Sequence, residues 1–129
     1  MRGACFGLVI GGALSLAVAG SPAAAHHSFA MIDATKTVTL SGTVKEFRWT
    51  NPHAWVRLEV RDPRTGRDVE WMIEGMGPNG LTRQGWSRGM ARPGDKAIIE
   101  IHPLKDGSAG GALMTMTVGG RKYLTHVGP

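Results

Sequence analysis

Cysteine is all but missing from this chain: Cys5 is the one thiol in 129 residues. It stands at the front of the first apolar run and not behind it, so it is no lipid-acceptor cysteine at a processing site. A single thiol also excludes a disulfide framework. A second shortage is of long apolar runs. The longest, Ala4 to Ala19, is about 16 residues, below the ~20 that a helix needs to cross the hydrocarbon core. There is no internal repeat and no low-complexity linker, and no His-Glu-x-x-His zinc motif or Gly-x-Ser-x-Gly nucleophile elbow. Together these gaps argue against a membrane-spanning protein, a disulfide scaffold, a multidomain enzyme and a two-domain nucleotide-binding protein. No catalytic constellation stands out.

What is present begins with an address. Arg2 precedes the apolar run, the breaker Gly20-Ser21-Pro22 ends it, and Ala23-Ala24-Ala25 follows. That order is a secretory signal peptide over residues 1–25, and the expected destination is the periplasm of a diderm bacterium. Small residues are wanted first and third before a cut. Ala23 and Ala25 permit cleavage before His26, and Ser21 and Ala23 permit it before Ala24. The remaining chain is one small domain. Its 19 glycines and 7 prolines predict turns, not long helices.

Beyond an extended segment, residues 26–35, the apolar residues recur every second position. Val38, Leu40, Gly42 and Val44 share one face, after which the phase slips to Phe47 and Trp49. An alternating strand with one slip is a bulged strand, with the bulge at Lys45-Glu46. Ala54, Val56, Leu58 and Val60 define a second strand, and the turn residues Asp62 to Gly66 lead into a third at Val69, Trp71 and Ile73. Pro78 to Trp86 reads as one short helix with proline in its first turn. Ala97, Ile99 and Ile101 give a fourth strand. Ala112, Met114, Met116 and Val118 give a fifth, with both methionines expected in the core. Five strands with a helix between the third and fourth are the order of an OB-like Greek-key barrel, here spanning residues 36–124, with a tail at 125–129. Another small barrel or sandwich would satisfy the same alternation.

The segments Ala25-His26-His27-Ser28-Phe29-Ala30, Thr43 to Trp55 and Ile101 to Ser108 resemble a family of small exported bacterial proteins catalogued as a domain of unknown function. The resemblance runs from His26 to Leu124. It implies export and a single small domain, and it brings no activity with it.

Two sets of candidate residues emerge. In an OB order the loop between strands one and two and the loop between strands four and five share one end of the barrel, where such folds commonly bind ligands. Asn51, His53, Trp55, Arg57 and Lys105 are the ligand-binding candidates there, with Trp55 and Arg57 on the outward face of strand two and Trp49 and Trp71 turned inward. Cross-strand pairing of the arginines with Glu70 or Glu74 competes with a ligand role. The second set is His26, His27, His53 and His102. Cleavage before His26 leaves an amine and an imidazole that chelate; cleavage before Ala24 makes His26 third, with two amides between amine and ring. The first set suits tetragonal Cu(II) and the second, square-planar, suits Cu(II) or Ni(II), so copper is the cofactor common to both. His126 sits in the tail.

Gly75-Met76-Gly77-Pro78-Asn79-Gly80 matches a dinucleotide fingerprint in letters only, because no strand-helix-strand repeat surrounds it. Nucleic acid is also disfavoured. The net charge of +5 and pI of about 10.0 come from basic residues interleaved with acids between Lys36 and Lys122, not from a cluster. The expectation is a periplasmic binding module for an envelope ligand or protein, with a Cu(II) protein as the alternative.

Overall fold

The computed structural model describes residues 29–125. The expected signal, His26, His27 and His126 lie outside the described residues. A 3-10 turn at Phe29–Met31 leads to β1 (Val38–Arg48), β2 (Trp55–Arg61) and β3 (Asp68–Glu74). Then come α1 (Pro78–Arg83), β4 (Lys96–Pro103), β5 (Gly110–Val118) and β6 (Arg121–Leu124). The strands run in the order β3-β2-β1-β4-β5-β6, and β3 also pairs with β5 in parallel. That last pairing closes five strands into the expected OB-type barrel, leaving β6 as an added edge.

β1 serves both sides of the barrel. Residues 38–43 pair with β4, residues 42–48 pair with β2, and the register slips between Val44 and Glu46. A bulge there adds one residue to the strand and sharpens its bend, which lets one strand join two walls. The alternation of β1, β2, β3 and β4 holds as the sequence expects. Val44, Val56, Leu58, Ile73, Ile99 and Ile101 point inward and are buried, each worth about 1.5–3 kcal/mol by removal from water.

α1 is shorter than expected. Pro78 begins it, but Gly85 turns to φ +84° and the Trp86 and Gly85 amides donate to the carbonyls of Leu81 and Thr82. This is a Schellman ending, and it carries Trp86 off the helix and into the core, where it is 2% exposed. Its indole Nε1 donates to the Leu124 carbonyl of β6 at 2.9 Å, and its ring packs beside Phe47 and Tyr123.

β5 departs from the expected pattern. Ile101 pairs with Leu113 and Glu100 with Thr115, leaving Met114 as the extra residue of a second bulge. The core residues are therefore Leu113, Met116 and Val118, while Ala112 and Met114 are only half-buried. The expectation that Met114 packs inside with Met116 is wrong because the slip moves the phase between them. β6 was not expected at all; it pairs with the second half of β5 after the Gly119-Gly120 turn.

Candidate functional site

The end of the barrel that carries the candidates is assembled by cross-strand register. Glu74, the last residue of β3, pairs with Trp55 at the start of β2 and with Ala112 near the start of β5. Ala112 pairs in turn with His102 near the end of β4. The 49–54 loop, the end of β3 and the 104–109 loop therefore meet at one end. Backbone bonds fix the first two together: the Ala54 amide donates to the Met76 carbonyl at 3.0 Å, and the Gly75 amide donates to Ala54 at 2.8 Å.

Within the 49–54 loop, Asn51 is exposed and its bond to Pro52 is cis. The Thr50 hydroxyl donates to the His53 carbonyl at 3.1 Å, which helps set the direction of His53. The His53 ring meets Glu74 through Nδ1 and Oε1. Glu74 is the more enclosed partner, with 12% of its side chain exposed against 39% for His53. A carboxylate on Nδ1 orients the ring and makes Nδ1 the protonated nitrogen of the neutral form. Sequence reasoning considered Glu74 for an arginine; the β2–β3 register delivers it to His53 instead.

The N-terminal segment is strapped to the same end. Ile32 forms an isolated bridge with Leu104, the Asp33 amide donates to the Pro103 carbonyl at 2.9 Å, and the Lys105 amide donates to the Met31 carbonyl at 2.9 Å. Lys105 Nζ adds a bond of 2.8 Å to the Ala30 carbonyl. Lys105 thus holds the strap. His102 lies beside the strap's exit, its Nδ1 2.6 Å from the Lys36 carbonyl, so Nδ1 donates there too.

Arg57 lies on the outer face of β2, as expected, but its charge is matched. Its guanidinium makes two bonds to Glu70, at 2.9 and 2.8 Å, and a longer one of 3.4 Å to Glu46. Glu70 is held below its ordinary carboxylate range by Arg57, and Glu46 chiefly by Arg48 and then by Arg57. Arg61 pairs with Asp68 and Lys45 with Glu59 on the same face. The expected competition for the arginines is decided here for Glu70. By contrast Arg83, Arg88 and Arg92, around and after α1, are exposed and make no ion pair among the described residues.

The structure thus brings Asn51, His53, Trp55 and Lys105 to one end, with Arg57 one step down the β2 face and His102 on the adjoining wall. Among the described residues no group of three or more histidines, cysteines, aspartates or glutamates is arranged to hold a metal ion, and no helix is long and apolar enough to cross a membrane.

Fold and site together define a small OB-type barrel with its loops, strap and two oriented histidines gathered near one end. The chain belongs to DUF6152, a family of unknown function, whose model matches residues 13–114. No curated protein and no solved structure matches it.

Proposed function

We propose that this protein is an exported periplasmic binding module that takes an envelope ligand or protein at the loop end of its barrel. The observation that carries the reading is the strap: Lys105 and Leu104 fasten residues 30–33 to the 104–109 loop, beside the loop that bears Asn51 and His53. OB-type barrels present ligands from their corresponding loops. Because Glu70 and Glu46 balance Arg57, that face offers shape and hydrogen bonds more than positive charge. Charge with no ion-pair partner among the described residues lies instead on Arg83, Arg88 and Arg92, which favours an anionic envelope surface on the α1 side. Export rests on the order of residues 1–25.

The test is intact mass of the protein made by its native export route, followed by site-specific photo-crosslinking in the periplasm. A mature chain beginning at Ala24 or His26, with adducts from a photoreactive residue at Asn51 or Lys105 and none at Arg64 in the far β2–β3 turn, supports the reading. Adducts only at Arg64, or a chain retained uncleaved in the cytoplasm, overturns it.

The orientation of the two histidines favours a second reading, Cu(II) binding. Nδ1 is engaged by Glu74 in His53 and by the Lys36 carbonyl in His102, the arrangement of imidazoles that bind through Nε2. His26 stands four residues before Ala30 in the sequence, and this reading takes His26 and His27 as further donors. Copper(II) titration followed by electron paramagnetic resonance separates the outcomes. Spectra that change with His53→Ala or His102→Ala support a shared site, and spectra that change only with His26→Ala indicate a chelate confined to the terminus.

A further inference from the structure

The β5 bulge produces a cluster that neither reading above uses. Leu113 turns into the core, and Thr115, on the opposite face and itself buried, donates its hydroxyl to Glu100 Oε2 at 2.6 Å. Between them Met114 reaches sideways: its Sδ lies 4.0 Å from Thr37 Oγ1. Thr37 immediately precedes β1, and β4 separates β1 from β5. Neighbouring strands are about 4.8 Å apart, so a side chain rooted on β5 meets Thr37 only by lying across the outer face of β4. His102 occupies that part of the face. Val38 pairs with Ile101, so the residues before Val38 run alongside His102, and His102 Nδ1 bonds the carbonyl of Lys36, the neighbour of Thr37. The thioether and the imidazole therefore converge on two consecutive residues.

We infer that His102 and Met114 form a Cu(I) site on the outer wall of the barrel. A thioether is a soft donor that selects Cu(I) and is a poor ligand for zinc, magnesium or calcium, while imidazole serves copper in either oxidation state. The Lys36 carbonyl accepts from Nδ1, so the neutral ring carries its lone pair on Nε2 and is held in orientation by that bond. Glu100, two residues before His102 on the same face of β4, is occupied by Thr115 and by Lys122 at 3.1 Å, and Asp33 on the strap is paired with Lys36 at 2.8 Å. This leaves the nitrogen–sulfur pair as the donor set. Cu(I) is a closed-shell ion that accepts few ligands, and both residues are half-buried, so the ion is held at the surface where it can be exchanged. The inference shares His102 with the Cu(II) reading but does not rest on it, since it needs neither the terminus nor His53.

The experiment is anaerobic Cu(I) titration of the full chain against bathocuproine disulfonate, with X-ray absorption at the copper edge, in a Cys5→Ser background so that no thiolate contributes. One Cu(I) per chain with a nitrogen and a sulfur scatterer is expected. Met114→Leu keeps the volume and removes the sulfur signal with at least a tenfold loss of affinity, and His102→Ala does the same to the nitrogen. Met116→Leu, whose sulfur is enclosed in the core, leaves Cu(I) affinity unchanged. A His26→Ala/His27→Ala double variant retains Cu(I) even where Cu(II) binding is abolished, which keeps the two copper readings apart. Wild-type affinity in Met114→Leu, or loss of Cu(I) in the double variant, overturns the inference.

Discussion

Trp86→Phe tests how the barrel is plugged and how β6 is attached. Trp86 is 2% exposed, packs against Phe47 and Tyr123 at centroid distances of 6.4 and 5.5 Å, and donates its indole hydrogen to the Leu124 carbonyl. Phenylalanine keeps one ring and loses the other. Removing that buried ring costs about 1.5–2 kcal/mol in transfer and residual cavity, below the 3–5 of a full truncation to alanine. The lost hydrogen bond adds about 0.5–1 kcal/mol, at the low end because Leu124 is 54% exposed and water can replace the donor. The total, about 2–3 kcal/mol, is a large part of the stability of a domain this size. With an m-value of about 1–2 kcal/mol per molar urea, the unfolding midpoint should fall by about 1–3 M. Urea titration by circular dichroism measures it. Amide exchange adds a local readout, since the Thr125 amide, bonded to Met114 at 2.7 Å, should lose more protection than the amides of β2. A midpoint shift below about 0.3 M, or unchanged exchange at Thr125, would refute the claim that Trp86 joins core and edge.

Other perturbations follow from the same geometry. Gly42→Ala would place a methyl 2.3 Å from the Glu59 carbonyl oxygen, so the β1–β2 register must shift, with an expected loss of more than about 2 kcal/mol in urea unfolding; a wild-type midpoint refutes it. Arg57→Met, which removes an exposed ion-pair network, should change stability by less than about 1 kcal/mol, and a larger loss would mean that the network shapes the sheet. Asp33 is held at about 2, first by the Lys36 ammonium and then by the Thr35 hydroxyl. A lowered carboxylate value means that its contribution is present above the unfolded value of 3.8 and is lost as pH falls towards 2. Nuclear magnetic resonance signals of Ile32 and Leu104 should therefore titrate with a midpoint of about pH 2 in the wild type and stay flat in Asp33→Asn.

How much of this was legible in the sequence depends on how local each signal was. β1 to β4 declare themselves because their apolar residues alternate, and even the Lys45 bulge shows as a slip between Val44 and Phe47. The β5 bulge does not show. Met114 and Met116 keep an alternating apolar pattern, and only the pairing of Ile101 with Leu113 reveals the extra residue. β6 was missed because Arg121, Lys122 and Leu124 are all exposed, leaving no amphipathic pattern, although Gly119-Gly120 is a hairpin signal. His53 and Lys105 were identifiable as loop-end residues, and Arg57 as a partner of Glu70. Glu74 as the partner of His53 required the β2–β3 register, and Trp86 sits after a helix end, where no period predicts burial.

The seam that closes the barrel has a consequence for anyone who would rebuild it. β3 and β5 meet through three residue pairs, Met72 with Gly110, Ile73 with Gly111 and Glu74 with Ala112. A Cβ on Gly110 would lie 2.9 Å from Leu104, and one on Gly111 would lie 2.3 Å from the His102 carbonyl oxygen. A methyl on Gly110 would also meet the Met72 carbonyl oxygen at 3.0 Å across the seam, and one on Gly111 would push β5 away from β4, so either would strain the closure. Reporter insertions and circular permutations belong at the exposed Pro63–Arg67 stretch of the β2–β3 turn, and library mutagenesis of the neighbouring loop should leave these two glycines untouched.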